Sequence, residues 1–165
     1  MNRISTDPDQ PQSALATARL LWTALLLGQA VLLFGACAFT LMQMGGGQTD
    51  TGHLLSYIAL FMCLTMIPAG YVLRAQMYKR HWVGQAVRPR GYLLGNVILW
   101  AMCEGISLLG LVSVVLSGEL IPNLIPTVLA LGVLVVNFPN GAAMFGHGSN
   151  NPYEHALKPR PRRFN

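Results

Sequence analysis

Four long apolar runs, joined by short polar segments, account for most of this 165-residue chain. The runs cover residues 14–41, 54–73, 93–116 and 121–138. A helix needs about 20 apolar residues to cross the hydrocarbon core of a bilayer, at a rise of ~1.5 Å per residue. Each run is close to this length or above it. The pattern therefore predicts an all-α membrane protein with four transmembrane helices within residues 14–141.

The two ends of the chain are polar and contain several prolines. We expect disordered cytoplasmic tails over residues 1–13 and 142–165, the second of them basic. A cleaved signal is the alternative for the first run, in which residues 34–37 loosely resemble a lipoprotein cleavage box. Because the apolar run continues past this box, we expect the first helix to be retained.

Composition supports a membrane location, since 53% of the residues are apolar and only 10% are charged. Soluble globular domains have about 25% charged residues. The sequence contains no catalytic triad signature, phosphate-binding loop or dinucleotide fingerprint. Its three cysteines lie inside apolar runs and its four histidines are scattered, so the spacing predicts no metal site. We expect neither enzymatic activity nor a cofactor.

Every lysine and arginine lies in one of three segments. Two are in the N-terminal segment, five in the loop between the second and third runs, and four in the C-terminal tail. The positive-inside rule therefore places both termini and the middle loop in the cytoplasm. We expect a multi-pass protein of a bacterial-type inner membrane.

The basic middle loop also predicts contact with the lipid bilayer, because anionic headgroups are the nearest partner for cations held at a membrane. The candidate headgroup-binding residues are Arg74, Lys79, Arg80, Arg88 and Arg90. The alternative is that these charges only determine topology. Nucleic acid is not expected as a partner.

One carboxylate, Glu104, lies at the centre of the third run. A charged side chain at this depth is unfavourable by about 2.5–3.5 kcal/mol on insertion scales, so it needs a partner or a function. The candidate ion-binding residues are Glu104, Gln29 and Ser107, which form a protonatable or cation-binding site in one interpretation. In the other, Glu104 forms only an interhelical hydrogen bond.

The chain also shows a possible internal repeat. Residues 29–35 align with residues 104–110, which places Gln29 opposite Glu104 at an equivalent depth. The fold would then be two tandem helical hairpins, although apolar runs also align by chance. Small residues near these positions predict close helix packing, within the bundle or against another copy. They are Gly28, Gly35, Ala101, Gly105 and Gly110.

The segment Glu104-Gly105-Ile106-Ser107-Leu108-Leu109-Gly110-Leu111-Val112 resembles the ion-binding helix of rotary ATPase c subunits. That family carries a mid-membrane carboxylate in a similar small and aliphatic context, and its duplicated members can lose one of two carboxylates, as Gln29 would imply. The chain also loosely resembles uncharacterised small four-helix bacterial membrane proteins with an acid-glycine step in the third helix.

Two functional hypotheses follow from these patterns. The first is a small structural or accessory membrane subunit, present as a homo-oligomer or within a larger membrane complex. The second is a proton- or cation-coupled transport element in which Glu104 is the reversible site and Gln29 its neutral partner.

Overall fold

A computed structural model describes residues 10–42 and 50–146 of the chain. Its three long helices are α1 (Pro11–Met42), α2 (Asp50–Arg80) and α3 (Pro89–Ser117). Two short helices follow, α4 (Ile125–Val136) and α5 (Ala142–Phe145). Strands β1 (Trp82–Val83) and β2 (Ala86–Val87) form a small antiparallel hairpin between α2 and α3. The described chain is therefore all-helical apart from this hairpin.

The three long helices are long and apolar enough to cross a membrane. They have 32, 31 and 29 residues, which corresponds to roughly 45 Å each, against a hydrocarbon core of about 30 Å. This excess explains why each helix extends beyond the apolar run that predicts it. The ends of membrane-crossing helices of this length would lie at the depth of the lipid headgroups.

The fourth apolar run does not form one long helix. Helix α4 has 12 residues, or about 18 Å, which is shorter than the hydrocarbon core. Residues 121–124 form turns, and Pro126 occupies the second position of α4, where a missing amide hydrogen costs nothing. The predicted span over residues 121–138 is thus partly irregular, and the two proposed hairpins are unequal.

The polar ends are also more ordered than predicted where the structure describes them. Helix α1 already begins at Pro11, and residues 142–145 form α5. The basic middle loop contains the last turns of α2 and the β1–β2 hairpin. Residues 1–9 and 147–165, which make up the remainder of the two predicted tails, lie outside the described residues.

Helix α3 is the centre of the bundle and contacts α1, α2 and α4. Half of its most apolar stretch is buried, against 17% for α1 and 22% for α2. One core cluster surrounds its middle and includes Cys63, Cys103 and Ile106, with Met62 and Met66 beside them. The cysteines are free thiols that act as small core residues.

A second core cluster lies at the end of the bundle where α3 begins. It brings together the start of α1, β2, the start of α3, the end of α4 and α5. Its buried members are Ala14, Ala18, Val87, Tyr92, Trp100, Leu134 and Met144. The chain after α4 therefore returns to the end of the bundle at which α1 begins. We call this the basic end, since the arginines and lysines of the middle loop lie there.

Candidate functional site

Glu104 lies at the centre of the central helix. It is the sixteenth of the 29 residues of α3, so a membrane-crossing α3 carries it close to the bilayer midplane. The side chain is half-buried. No hydrogen bond or ion pair within residues 10–42 and 50–146 involves its carboxylate.

Gln29 and Ser107 form a buried polar contact between α1 and α3. Gln29 is only 1% exposed, and its Oε1 accepts a hydrogen bond from the Ser107 hydroxyl. Its Nε2 donates to the backbone carbonyl oxygen of Glu104 at 3.5 Å. The Ser107 carbonyl oxygen in turn accepts a hydrogen bond of 3.1 Å from the Thr127 hydroxyl, which connects α4 to the same network.

The predicted ion-binding candidates are therefore only partly brought together. Gln29 lies at the depth of Glu104, as the alignment of the two segments predicts. Its amide, however, is used by Ser107 and by the α3 backbone instead of the Glu104 carboxylate. Ser107 follows Glu104 by three residues, which places the two side chains about 60° apart around the helix axis. Ser107 is buried, whereas Glu104 lies nearer the surface. Gln29 and Ser107 act as interhelical hydrogen-bonding residues.

The surface beside Glu104 is made of small and apolar side chains. Ala101, Gly105 and Leu108 of α3 are exposed on the surface of the single chain. A Cβ added at Gly105 would meet no other atom within 4 Å. We call Ala101, Glu104, Gly105 and Leu108 the Glu104 face. It offers a shallow surface on which another helix could approach closely.

Of the five predicted packing residues, Gly110 makes a close helix contact inside the chain. It is buried, and a Cβ there would collide with the Thr127 side chain. Gly28, Gly35 and Gly105 are exposed with open space around them, and Ala101 is exposed too. These four face away from the bundle, so any packing role they have involves a partner outside this chain.

A close approach between the backbones of α2 and α3 involves residues that the sequence analysis did not single out. A Cβ at Gly52 of α2 would lie 2.5 Å from the backbone nitrogen of Ser117, and one at Gly70 would lie 2.9 Å from Leu99. The sequence does contain a pattern that could have indicated this contact, because small residues recur along one face of α2 at helical spacing. They are Gly52, Ser56, Ala59 and Cys63, all of them buried.

Arg74 differs from the other predicted headgroup-binding residues. The other four are exposed, namely Lys79, Arg80, Arg88 and Arg90, and their contact with lipid headgroups stays a prediction. The Arg74 side chain is half-buried and donates to the Asn137 side chain and the Tyr78 hydroxyl. No local sequence pattern predicts the contact with Asn137, which is 63 residues away.

Residues 10–42 and 50–146 contain no group of three or more histidine, cysteine or acidic side chains that could hold a metal ion. Fold and composition together define a helical bundle with helices long and apolar enough to cross a membrane. No family model, curated protein or solved structure matches the chain.

Proposed function

We propose that this protein is a small structural or accessory membrane subunit that assembles laterally through the Glu104 face. The observation that carries the proposal is a mid-helix carboxylate with no hydrogen-bond partner in the described chain. Leaving such a group against lipid is unfavourable by a few kcal/mol. A second helix on the Glu104 face would supply the missing hydrogen bond and remove the acid from lipid.

A second copy of the chain satisfies this requirement with the fewest assumptions. In a parallel dimer with a two-fold axis along the membrane normal, equivalent residues meet at the same depth. Two Glu104 side chains then face each other, and a carboxyl group that carries a proton both donates and accepts hydrogen bonds. The open space around Gly105 lets the two α3 helices approach closely.

The membrane arrangement in this proposal has four crossings, with both termini in the cytoplasm of a bacterial-type cell. The fourth crossing is α4 together with the irregular segments on either side of it. Three observations support it. Thr127, near the start of α4, contacts the middle of α3. Gly141, which follows α4, donates to the hydroxyl of Tyr92 near the beginning of α3. Arginine and lysine residues concentrate at that end.

Counting subunits in lipid tests lateral assembly. The full-length protein, labelled with one fluorophore per chain, is placed in liposomes at low density, and photobleaching steps are counted. We expect two or more steps for the wild type and mostly single steps for Gly105→Ile, because a branched side chain separates the helices. Gly132→Ile is the matched control, since Gly132 of α4 is also exposed with no atom within 4 Å of an added Cβ.

The Glu104 side chain is tested in the same assay. Glu104→Leu removes the hydrogen-bonding group and is expected to shift the protein towards monomers, whereas Glu104→Gln keeps it and retains assembly. Single steps for the wild type, or equal assembly of Gly105→Ile and Gly132→Ile, contradict a homo-oligomer that forms through this face.

Proton- or cation-coupled transport is the second candidate function. It is favoured by the same half-buried carboxylate without a partner, and by the resemblance of residues 104–112 to the c-subunit helix. In this case Glu104→Gln abolishes proton or cation flux in proteoliposomes while assembly persists. No flux with the wild type under an imposed gradient excludes this candidate.

Dicyclohexylcarbodiimide measures whether Glu104 is reachable from the membrane. This hydrophobic reagent modifies protonated carboxyl groups that lipid or a cavity exposes. We expect modification of Glu104 in dilute monomers and protection in the assembled state. Peptide mapping separates it from Glu119, which lies near the opposite end of the bundle from the arginines.

A further inference from the structure

Arg74 lies near the basic end of the bundle and has only neutral hydrogen-bond partners. Its Nε donates to the Tyr78 hydroxyl at 3.1 Å, and its Nη1 donates to Asn137 Oδ1 at 2.6 Å. The guanidinium carbon lies 5.3 Å from the centre of the Tyr78 ring. No ion pair with Arg74 occurs in the described parts of the chain.

The carboxylates of the described chain are all distant from Arg74 along the bundle. They are Asp50, Glu104 and Glu119. Asp50 begins α2 and Glu119 follows α3, so both lie at the end opposite to the arginines, and Glu104 is central. A half-buried guanidinium without a nearby anion is unfavourable in a low-dielectric environment. The site therefore favours a negatively charged ligand.

A second arginine contacts residues 138 and 139, which follow Asn137 in the chain. Arg19 of α1 donates from Nε to the Pro139 carbonyl oxygen at 3.4 Å, and its guanidinium carbon lies 5.7 Å from the Phe138 ring centre. Arg74 binds Asn137, so α1 and α2 hold residues 137–139 through one arginine each. Both guanidinium groups therefore lie beside the same three-residue segment.

Unused hydrogen-bond donors remain around this segment. A guanidinium has five N–H groups, and the hydrogen bonds within the described chain use two nitrogens of Arg74 and one of Arg19. The Tyr78 oxygen accepts from Arg74 and from Asn96, so its own proton is free to be donated. Arginine donors in this number suit a phosphate group, which offers several acceptor oxygens.

In a membrane-crossing α3 with Glu104 at the midplane, the site lies at the depth of the lipid phosphates. The Arg74 side chain packs against Gly95 of α3, where an added Cβ would lie 3.3 Å from Arg74 Cγ. Gly95 precedes Glu104 by nine residues, about 14 Å along the helix, and half of the hydrocarbon core is about 15 Å. The guanidinium, at the end of a longer side chain, reaches the headgroup region.

We propose that Arg19 and Arg74 bind a phosphate group at the basic end of the bundle, beside residues 137–139. The phosphate comes either from the headgroup of an anionic phospholipid or from a phosphate ion in solution. This site is independent of the Glu104 face and of assembly through it. It also differs from diffuse attraction to the exposed cations of the middle loop, because it needs two particular arginines.

Lipid binding by the full-length protein in detergent micelles tests the proposal. Binding of dioleoylphosphatidylglycerol is measured by native mass spectrometry for the wild type, Arg19→Gln and Arg74→Gln, with dioleoylphosphatidylcholine as the uncharged reference lipid. We expect each variant to bind phosphatidylglycerol about tenfold more weakly, the factor for losing one charged hydrogen bond. Arg88→Gln and Arg90→Gln are matched controls that remove the same charge from exposed positions.

Arg19→Gln is the decisive variant, because Arg19 is exposed and its loss leaves the core intact. Unchanged phosphatidylglycerol binding by Arg19→Gln overturns the proposal, as does an equal loss in the Arg88→Gln and Arg90→Gln controls. Competition with millimolar inorganic phosphate then identifies the source. If phosphatidylglycerol stays bound in the presence of phosphate, the site binds a lipid headgroup. If phosphate displaces the lipid, and Arg19→Gln no longer binds phosphate, the site binds phosphate from solution.

Discussion

At the scale of single residues, the hydrogen bond between Ser107 and Gln29 is the main polar link from α1 to α3. Both side chains are about 1% exposed, and each uses its polar group on the other helix. In hydrocarbon a polar group without a partner is unfavourable, because water cannot replace the lost hydrogen bond. The pair therefore fixes the depth and rotation of α1 against α3.

Replacing Ser107 with alanine tests this link. The change leaves Gln29 Oε1 buried without its donor, and we expect it to lower the free energy of unfolding by about 1 kcal/mol. Thr40→Val is the control, since the buried Thr40 hydroxyl donates at 2.9 Å to Ala36 of its own helix and its loss should cost less. Reversible unfolding in mixed micelles gives both values. Equal stabilities of Ser107→Ala and the wild type would contradict an interhelical role.

At the scale of helices, α2 and α3 form the most extensive contact of the bundle. The backbone of α2 at Gly52 lies so near Ser117 that a methyl group cannot fit without moving the helices. Small residues continue this contact along α2 at Ser56 and Ala59. Dispersion between closely packed backbones, more than burial from water, stabilises helix pairs in lipid.

Gly52→Ala is expected to destabilise the bundle by about 1–3 kcal/mol, because the new Cβ would lie 2.5 Å from a backbone nitrogen. Gly105→Ala adds the same methyl group to open space and should be neutral or slightly stabilising in dilute monomers. The two variants are compared by unfolding in micelles. A smaller loss for Gly52→Ala than for Gly105→Ala would show that the α2–α3 contact is wrong.

Much of this architecture follows from the length of the apolar runs. Three of the four runs predict the long helices, because a stretch of 20 apolar residues has few other stable conformations in lipid. The fourth run differs because residues 121–124 form turns, which apolar content alone does not reveal. The equal depth of Gln29 and Glu104 was also predictable, since sequence position along a helix fixes depth.

The side of each helix that faces the bundle was less predictable than the position of the helix in the sequence. Apolar side chains face both protein and lipid in a membrane, so the hydrophobic pattern around a helix carries little information on burial. Gly105 and Gly110 illustrate this, since both follow Glu104 closely and only Gly110 packs inside the chain. The contact of Arg74 with Asn137 joins distant segments, and no local pattern predicts it.

At the scale of the whole molecule, the bundle has two ends with different chemistry. Arginines, tyrosines and tryptophans gather where α3 begins, and the His53–Glu119 pair, at 3.7 Å, marks the other end. Aromatic belts and cations are typical of the lipid interface. Between these ends, Glu104 is the only acidic residue of α3. A membrane-crossing α3 therefore requires Glu104 to be surrounded by lipid or protein, without contact with bulk water.

A nitroxide label beside Glu104 tests this central claim most directly. The label is attached to Gly105→Cys in a variant whose three native cysteines are replaced with alanine, and the protein is reconstituted in liposomes. We predict that a water-soluble nickel complex does not reach the label, whereas a label at the exposed position Arg90 collides with it freely. Equal nickel accessibility at the two positions would contradict a membrane-crossing α3 with Glu104 at its centre.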